Sequence, residues 1–319
     1  MEWLDSCELL TIPTLPLFQV EVREAEHRLY IASQCIEPRA RHHLPAKKRV
    51  RLSSPLLFTS INTFDVADAY SNGRSEEIVG AFLRKYDIPR LKIVIMSKLF
   101  FNVYPAGTVV KVIEKHVIDA VDASVKRLGI YIDVLQTHRI DLETPKEEIM
   151  RALSDVVDSG KARYISGSTM AIWQFQMCQN VAEKNGRHKF ISMQGLYNLL
   201  YCKEEREMND YCRATSVGLF PWSPLLAGVL VHAWEDRTDE RENSDNIVNC
   251  VEEIAKKKGV PMAQIAIACV ISKGGIMPIM GLTTKEQIDQ AVQVLFVKLT
   301  EEECQYLEEL YVPRAVIGH

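Results

Sequence analysis

The sequence predicts an α/β fold, a (β/α)8 TIM barrel, and three observations carry that prediction. Short β-rich runs recur down the chain, most ending at or next to a polar residue and most followed by an amphipathic stretch. Such alternation means parallel strands joined by crossover helices. None of the fifteen glycines forms a GxG, so the phosphate-binding turn of an open dinucleotide-binding sheet is missing. The runs end in Asp, Lys, His, Ser, Gln and Ser, and a barrel gathers the C-terminal ends of its strands into one site.

The expected strands, in order, are NTFDVAD (62–68), KIVIMSK (92–98), IDVLQTH (132–138), ARYISGS (162–168), KFISMQG (189–195), VGLFPWS (217–223) and IMPIMGL (276–282). Between them lie SEEIVGAFLRKY, VIEKHVIDAVDASVKRLG, EEIMRALSDVVDSG, IWQFQMCQNVAEKNG and IVNCVEEIAKKKG. These are apolar at helical spacing and mostly closed by Gly or Lys. One long excursion separates Ser223 from Ile276. The first strand and helix unit is atypical or missing, so the chain divides into an atypical N-terminal segment, 1–59, and the barrel, 60–319. In the former, FQVEVRE (18–24) and HRLYIAS (27–33) alternate apolar and polar residues and are able to pair as strands. Either one replaces the first strand, or the barrel is incomplete. Seven parallel strands would leave two edges unpaired, at a cost comparable to the whole stability margin of about 5–15 kcal/mol.

Composition narrows the functional classes. Nearly half the residues are apolar and a quarter charged, as in a protein with a sizeable core. A net charge of -4 gives no general attraction to nucleic acid or anionic membrane. The basic run RARHHLPAKKRVR (39–51) reads as a solvated linker, and His42-His43 lack partner ligands at metal spacing. Eight cysteines without a CxxC pair fit reduced thiols, no stretch is long and apolar enough to span a membrane, and the acidic start lacks a signal-peptide n-region. A cytoplasmic protein is the expectation.

Barrel closure would bring Asp65, Lys98, His138, Ser168, Gln194 and Ser223 together, with Tyr70 just beyond the first of these strands. Taken singly, each has an ordinary reading as a strand end, a cap or packing, and Asp68, Ser71, Asn72 and Gly73 read as a surface turn. Together, a phenol, an ammonium, a carboxylate and an imidazole suit proton delivery to a carbonyl oxygen. A free tyrosine is a poor acid at neutral pH, and a neighbouring ammonium stabilises its phenolate. Lys98 would supply that charge, Asp65 would keep Lys98 protonated, and His138 would orient the carbonyl or relay a proton.

The segments NTFDVADAYSNGRSEE, IVIMSK, LGIYIDVLQTHRID, SGKARYISGSTM, MQGLYNLLYCKEERE, PWSPLLAGVL and LEELYVPRAVIGH resemble the aldo-keto reductase superfamily from about residue 60 onward. The wording is closest to its fungal aryl-alcohol dehydrogenase-like and versiconal hemiacetal acetate reductase-like branch. The resemblance implies a carbonyl reductase with Tyr70 as general acid, Lys98 and Asp65 tuning it, and His138 beside the carbonyl oxygen. It implies NADPH in preference to NADH, with Ser168, Thr169 and Gln194 at the nicotinamide carboxamide and Tyr197 stacked on its ring. Ser223, Leu225 and Gly228 would follow the pyrophosphate. In GLTTKEQIDQAV, Gly281, Thr283, Thr284, Lys285 and Gln287 would lie at the ribose phosphate, with Gln287 where relatives carry Arg. No metal is implied.

The partner is then a small-molecule carbonyl compound, with pocket shape set by FFNVYPAG (100–107) and VHAWEDRTDERENSDN (231–246). Phe100, Phe101, Tyr104 and Trp234 there suggest an aryl substrate. A cofactor-binding regulatory or scaffold protein, or a truncated product with little turnover, is the alternative that the altered N-terminus raises.

Overall fold

The computed structural model describes residues 19–21, 23–25, 28–30, 61–100, 114–234 and 245–317. The basic run 39–51 and most of the two pocket-shaping segments, including Phe101 and Tyr104, lie outside the described residues.

Three short strands come first, β1 (Gln19–Glu21), β2 (Arg23–Ala25) and β3 (Arg28–Tyr30). The seven expected strands follow as β4 (Thr63–Asp65), β5 (Val94–Leu99), β6 (Ile132–Thr137), β7 (Ala162–Ser168), β8 (Phe190–Gln194), β9 (Gly218–Leu219) and β10 (Ile279–Met280). Eight of them form one sheet in the order β10-β1-β4-β5-β6-β7-β8-β9. Parallel bridges Leu219↔Ile276 and Trp222↔Ile279 join its two ends, so the sheet closes on itself.

The missing strand is therefore supplied by FQVEVRE. Gln19 and Val20 pair with Ile279 and Met280 on one side, and Gln19, Val20 and Glu21 pair with Thr63, Phe64 and Asp65 on the other. The rest of that run turns back, because β2 pairs antiparallel with β3 as a separate hairpin. A strand of three residues is enough to join β10 to β4, and closure removes the open edges that seven strands would leave.

The described helices are α1 (Arg74–Lys85), α2 (Glu114–Leu128), α3 (Lys146–Asp158), α4 (Ile172–Lys184), α5 (Met208–Ala214), α6 (Asp245–Lys258), α7 (Met262–Ser272), α8 (Lys285–Gln293) and α9 (Glu301–Glu308). In α1, Glu76 and Glu77 occupy the first turn and Arg84 and Lys85 the last, the arrangement that complements the helix dipole. Thr284 and Thr300 open α8 and α9 with capping boxes closed by Gln287 and Glu303. Gly80 lets α1 lie against α2, since a Cβ there would stand 2.4 Å from the Leu128 carbonyl oxygen.

One core fills the space between strands and helices, including Phe64, Ile95, Leu135, Ile165, Phe175 and Met280. A second cluster, around Leu199, Leu230, Val251 and Ile265, binds α6 and α7 to the loops after β8 and β9. The long excursion between Ser223 and Ile276 thus holds a packed helix pair. Inside the barrel the upper layer is polar, with Asp65, Lys98, Gln136, Ser166, Ser192 and Gln194 all at most 2% exposed.

Candidate active site

Strand register brings the polar side chains together. Asp65 ends β4, Lys98 pairs across to Gln136 from β5 to β6, and Ser168 pairs with Gln194 from β7 to β8. Lys98 Nζ donates to Asp65 Oδ2, and both side chains are fully buried. Asp65 Oδ1 accepts from Gln136 Nε2 and from Gln194 Nε2, each at 3.0 Å. Gln194 Nε2 also reaches Gln136 Oε1 at 3.1 Å. A buried ion pair is tolerated when the remaining lone pairs find donors, and here two amides supply them.

Lys98 has further acceptors. Its Nζ lies 3.3 Å from the Val66 carbonyl oxygen and 3.2 Å from the Tyr70 hydroxyl oxygen. The same ammonium stands 4.9 Å from the centroid of the Tyr70 ring. His138 meets that ring edge-on, with centroids 5.6 Å apart and planes at 80°. Tyr70 and His138 are each 8% exposed, so both reach the rim without standing in bulk water. All four residues singled out for proton transfer are thus brought to one place.

The turn after β4 delivers the tyrosine. Ser71, Asn72 and Gly73 take left-handed φ values of 50°, 53° and 85°, which reverse the chain so that α1 begins at Arg74. Gly73 could hardly be anything else, because a Cβ there would also stand 2.6 Å from Arg127 Nε. Beside His138, Arg139 Nη1 donates to the His138 carbonyl oxygen at 2.6 Å. Burial pulls the Arg139 guanidinium below its ordinary value, while the nearby Tyr70 oxygen pulls it back up.

The cofactor candidates fall on the other half of the rim. Ser168 Oγ donates to the Gln194 carbonyl oxygen at 2.9 Å, and Thr169 N donates to the same oxygen at 3.0 Å. Thr169 sits at φ 35°, and its hydroxyl accepts from Trp222 Nε1 at 3.1 Å. Ser223, Leu226 and Ala227 are also left-handed, at φ 56°, 45° and 53°. Such backbone is held only where surrounding structure demands it, and it concentrates at binding sites. Ser223 and Ala227 border a cavity of about 480 Å³ that is also lined by Leu225, Gly228, Gly281, Thr283 and Gln287, so that six of the cofactor candidates meet there. Among the described residues its wall carries no Asp, Glu, Lys or Arg.

Two placements differ from expectation. Tyr197 does not come to the rim: the chain stays extended past β8 through the Leu196↔Trp222 bridge, and Tyr197 packs into the core at 4% exposure. Its hydroxyl donates to Glu205, and burial together with that carboxylate pushes the phenol well above its usual range. Lys285 reaches the surface beside the cavity, but its ammonium is engaged by Asp289 at 2.5 Å. Thr283 and Thr284 are occupied as well, since Gln287 Oε1 accepts from Thr283 N at 2.7 Å and from Thr283 Oγ1 at 2.9 Å, and Thr284 Oγ1 accepts from Gln287 N at 3.2 Å.

Sequence reasoning passed over Gln136 and Trp222. Gln136 lies inside IDVLQTH, where only the register with Lys98 shows that it faces Asp65. Trp222, in the quoted stretch PWSPLLAGVL, places an indole against Thr169 directly before Ser223.

The structure is a closed eight-stranded barrel with Asp, Lys and His at the C-terminal ends of its strands and Tyr in the turn after β4, and the comparison with protein families names its class. Residues 44–312 match the model of the aldo/keto reductase family, and the chain belongs to that family. Versiconal hemiacetal acetate reductase of Aspergillus parasiticus is 51% identical over 289 residues, covering 80% of this chain and 84% of that one. A Schizosaccharomyces pombe protein that carries the name aryl-alcohol dehydrogenase is 46% identical over 295 residues, covering 81% of this chain and 83% of that one. An aldo-keto reductase of Fusarium vanettenii is 40% identical over 297 residues, covering 81% and 80%. The fungal branch named from the sequence is the one these relatives occupy. The chain is an oxidoreductase of carbonyl compounds in a family that uses nicotinamide cofactors. No helix among the described residues is long and apolar enough to cross a membrane.

Proposed function

We propose that this protein reduces an aldehyde or ketone, aryl carbonyls included, to the alcohol with NADPH, and that Tyr70 is the general acid. The observation that carries this reading is the position of Lys98, bonded to Asp65 and 3.2 Å from the Tyr70 oxygen. When the phenol gives up its proton, the negative charge left on that oxygen meets an ammonium already in place. Asp65 holds Lys98 in its charged form, and Gln136 and Gln194 hold Asp65. His138, against the same ring, is placed to orient the carbonyl oxygen.

The residues present fit a dinucleotide. The cavity wall of Ser223, Leu225 and Gly228 runs into Gly281, Thr283 and Gln287, and the left-handed backbone at Ser223 and Ala227 is of the kind that lets a pyrophosphate approach closely. Ser168 and Thr169 would meet the carboxamide end. When bound, the nicotinamide supplies the hydride that makes the chemistry a reduction. The alternative of a cofactor-holding subunit or truncated product with little turnover rests on the altered N-terminus, and the pairing of Gln19–Glu21 with β10 and β4 weighs against it as far as the first strand goes.

The test follows the loss of NADPH absorbance with an aromatic aldehyde. Tyr70→Phe is expected to lower kcat about 10²- to 10⁴-fold, the usual contribution of a positioned acid, with cofactor binding retained. Equal rates in parent and variant would remove Tyr70 from this role.

A further inference from the structure

Asp68 has no part in the chemistry described so far. Its sequence suggests a surface turn, and the turn exists, but Asp68 is only 2% exposed. Its backbone N–H donates to the Lys98 carbonyl oxygen at 3.1 Å, so it is fixed at the strand end that carries the ammonium. The charges that face it are already matched. From β4 and β5, Asp65 holds Lys98. From α1 and α2, Glu76 Oε2 holds Arg127 Nε at 2.6 Å, while Glu76 Oε1 accepts from Ser97 Oγ at 2.6 Å. Tyr70 stands on the same turn and is itself faced by His138 and Arg139. Neither cation is left over for a third carboxylate, and Asp68 Oδ1 has no hydrogen-bond partner among the described residues. A buried ionised carboxylate with no cation of its own and one oxygen left without a donor is strongly unfavourable, so the group stays protonated.

We propose that Asp68 is a positioning residue that works as an un-ionised carboxylic acid: neutral between the Asp65–Lys98 and Glu76–Arg127 pairs, it leaves the Lys98 ammonium to act on Tyr70. The proposal rests on the reading of Tyr70 as the general acid. Burial, and then the Glu76 carboxylate, push the Asp68 carboxyl up to about 8, against the Ala69 N–H, Arg127 and Lys98. Above that pH Asp68 releases its proton to solvent, and a new negative charge competes for Lys98. Charge on the Tyr70 oxygen then becomes harder to hold, and reduction slows.

The full chain is compared with Asp68→Asn, whose amide is neutral at every pH. The readout is the ratio of kcat at pH 9 to kcat at pH 7 in NADPH-dependent reduction of an aromatic aldehyde. The ratio is expected to rise several-fold in the variant, and an unchanged or lower ratio overturns the proposal. Should the parent show no turnover, the reading of the reaction fails, and Asp68 is judged by stability alone. Its carboxyl stays protonated in the folded chain but ionises near pH 4 in the unfolded one, so the parent loses stability relative to Asp68→Asn as pH rises from about 4 to 8. The gap between their urea midpoints widens over that window and is constant above it. Parallel midpoints overturn the proposal. A parent sample labelled with 13C at the aspartate carboxyls needs no variant: one carboxyl titrating near pH 8 supports the proposal, and all titrating below pH 5 overturns it.

Discussion

Around β4, β5 and β6 the rim is organised by side chains that hold one another, Asp65 to Lys98 and Gln136 to Asp65, with Gln194 reaching Asp65 from β8. On the half formed by β7, β9 and β10 it is organised by backbone, with left-handed turns at Thr169 and Leu226 and, lining the cavity, at Ser223 and Ala227, and no described residue of the cavity wall is an Asp, Glu, Lys or Arg. Under the proposed function, the difference follows from what each half would do. A proton-transfer site needs charge fixed in advance in a dry place, because dipoles that must reorganise stabilise the transition state less. A site for a large, flexible, anionic ligand needs surface, small residues and N–H groups instead.

The comparison predicts unequal sensitivity to substitution. The largest effect is expected for Lys98→Met, which leaves Asp65 ionised and buried without its cation. Breaking a buried pair in this way costs about 3–5 kcal/mol, to be read from urea unfolding. A change under ~1 kcal/mol would mean that the cluster is solvated and the two halves do not differ. On the other half, Thr169→Val removes the acceptor of the Trp222 indole N–H. One buried donor left alone costs about 1–3 kcal/mol, and the KM for cofactor should rise with little change in kcat. The smallest effect is expected at the surface. Asp289→Asn releases Lys285 from its ion pair, and the preference for NADPH over NADH should increase by roughly two- to fivefold, the scale of an exposed charge interaction. No change in that ratio would mean that Lys285 does not face the ribose phosphate.

The same contrast explains what could be read from the sequence. Most runs from β4 onward carry a polar residue at or near the C-terminal end, so Asp65, Lys98 and His138 were legible along with the helices between them. The first strand was legible only as one of two candidates, because three residues of FQVEVRE carry too little pattern to fix a partner. The helix α7 escaped because Ile265, Ala266, Ile267, Ala268, Cys269 and Val270 are all buried, and a helix apolar all round has no periodicity to detect. Gln136 and Asp68 escaped for another reason. An amide in a strand and an acid in a turn are ordinary residues until strand pairing places one against Asp65 and buries the other beside Lys98. Tyr197 failed in the opposite sense, since an aromatic near a rim is core as readily as ligand contact, and here the core holds it.

Under the proposed function Lys98 and Tyr70 act as one unit, and a double-mutant cycle on kcat tests that most directly. If Lys98 serves catalysis through the Tyr70 oxygen 3.2 Å away, then Lys98→Met combined with Tyr70→Phe should be no slower than the slower single variant. If the two losses multiply, the ammonium and the phenol act independently, and the proton-transfer site described here is wrong.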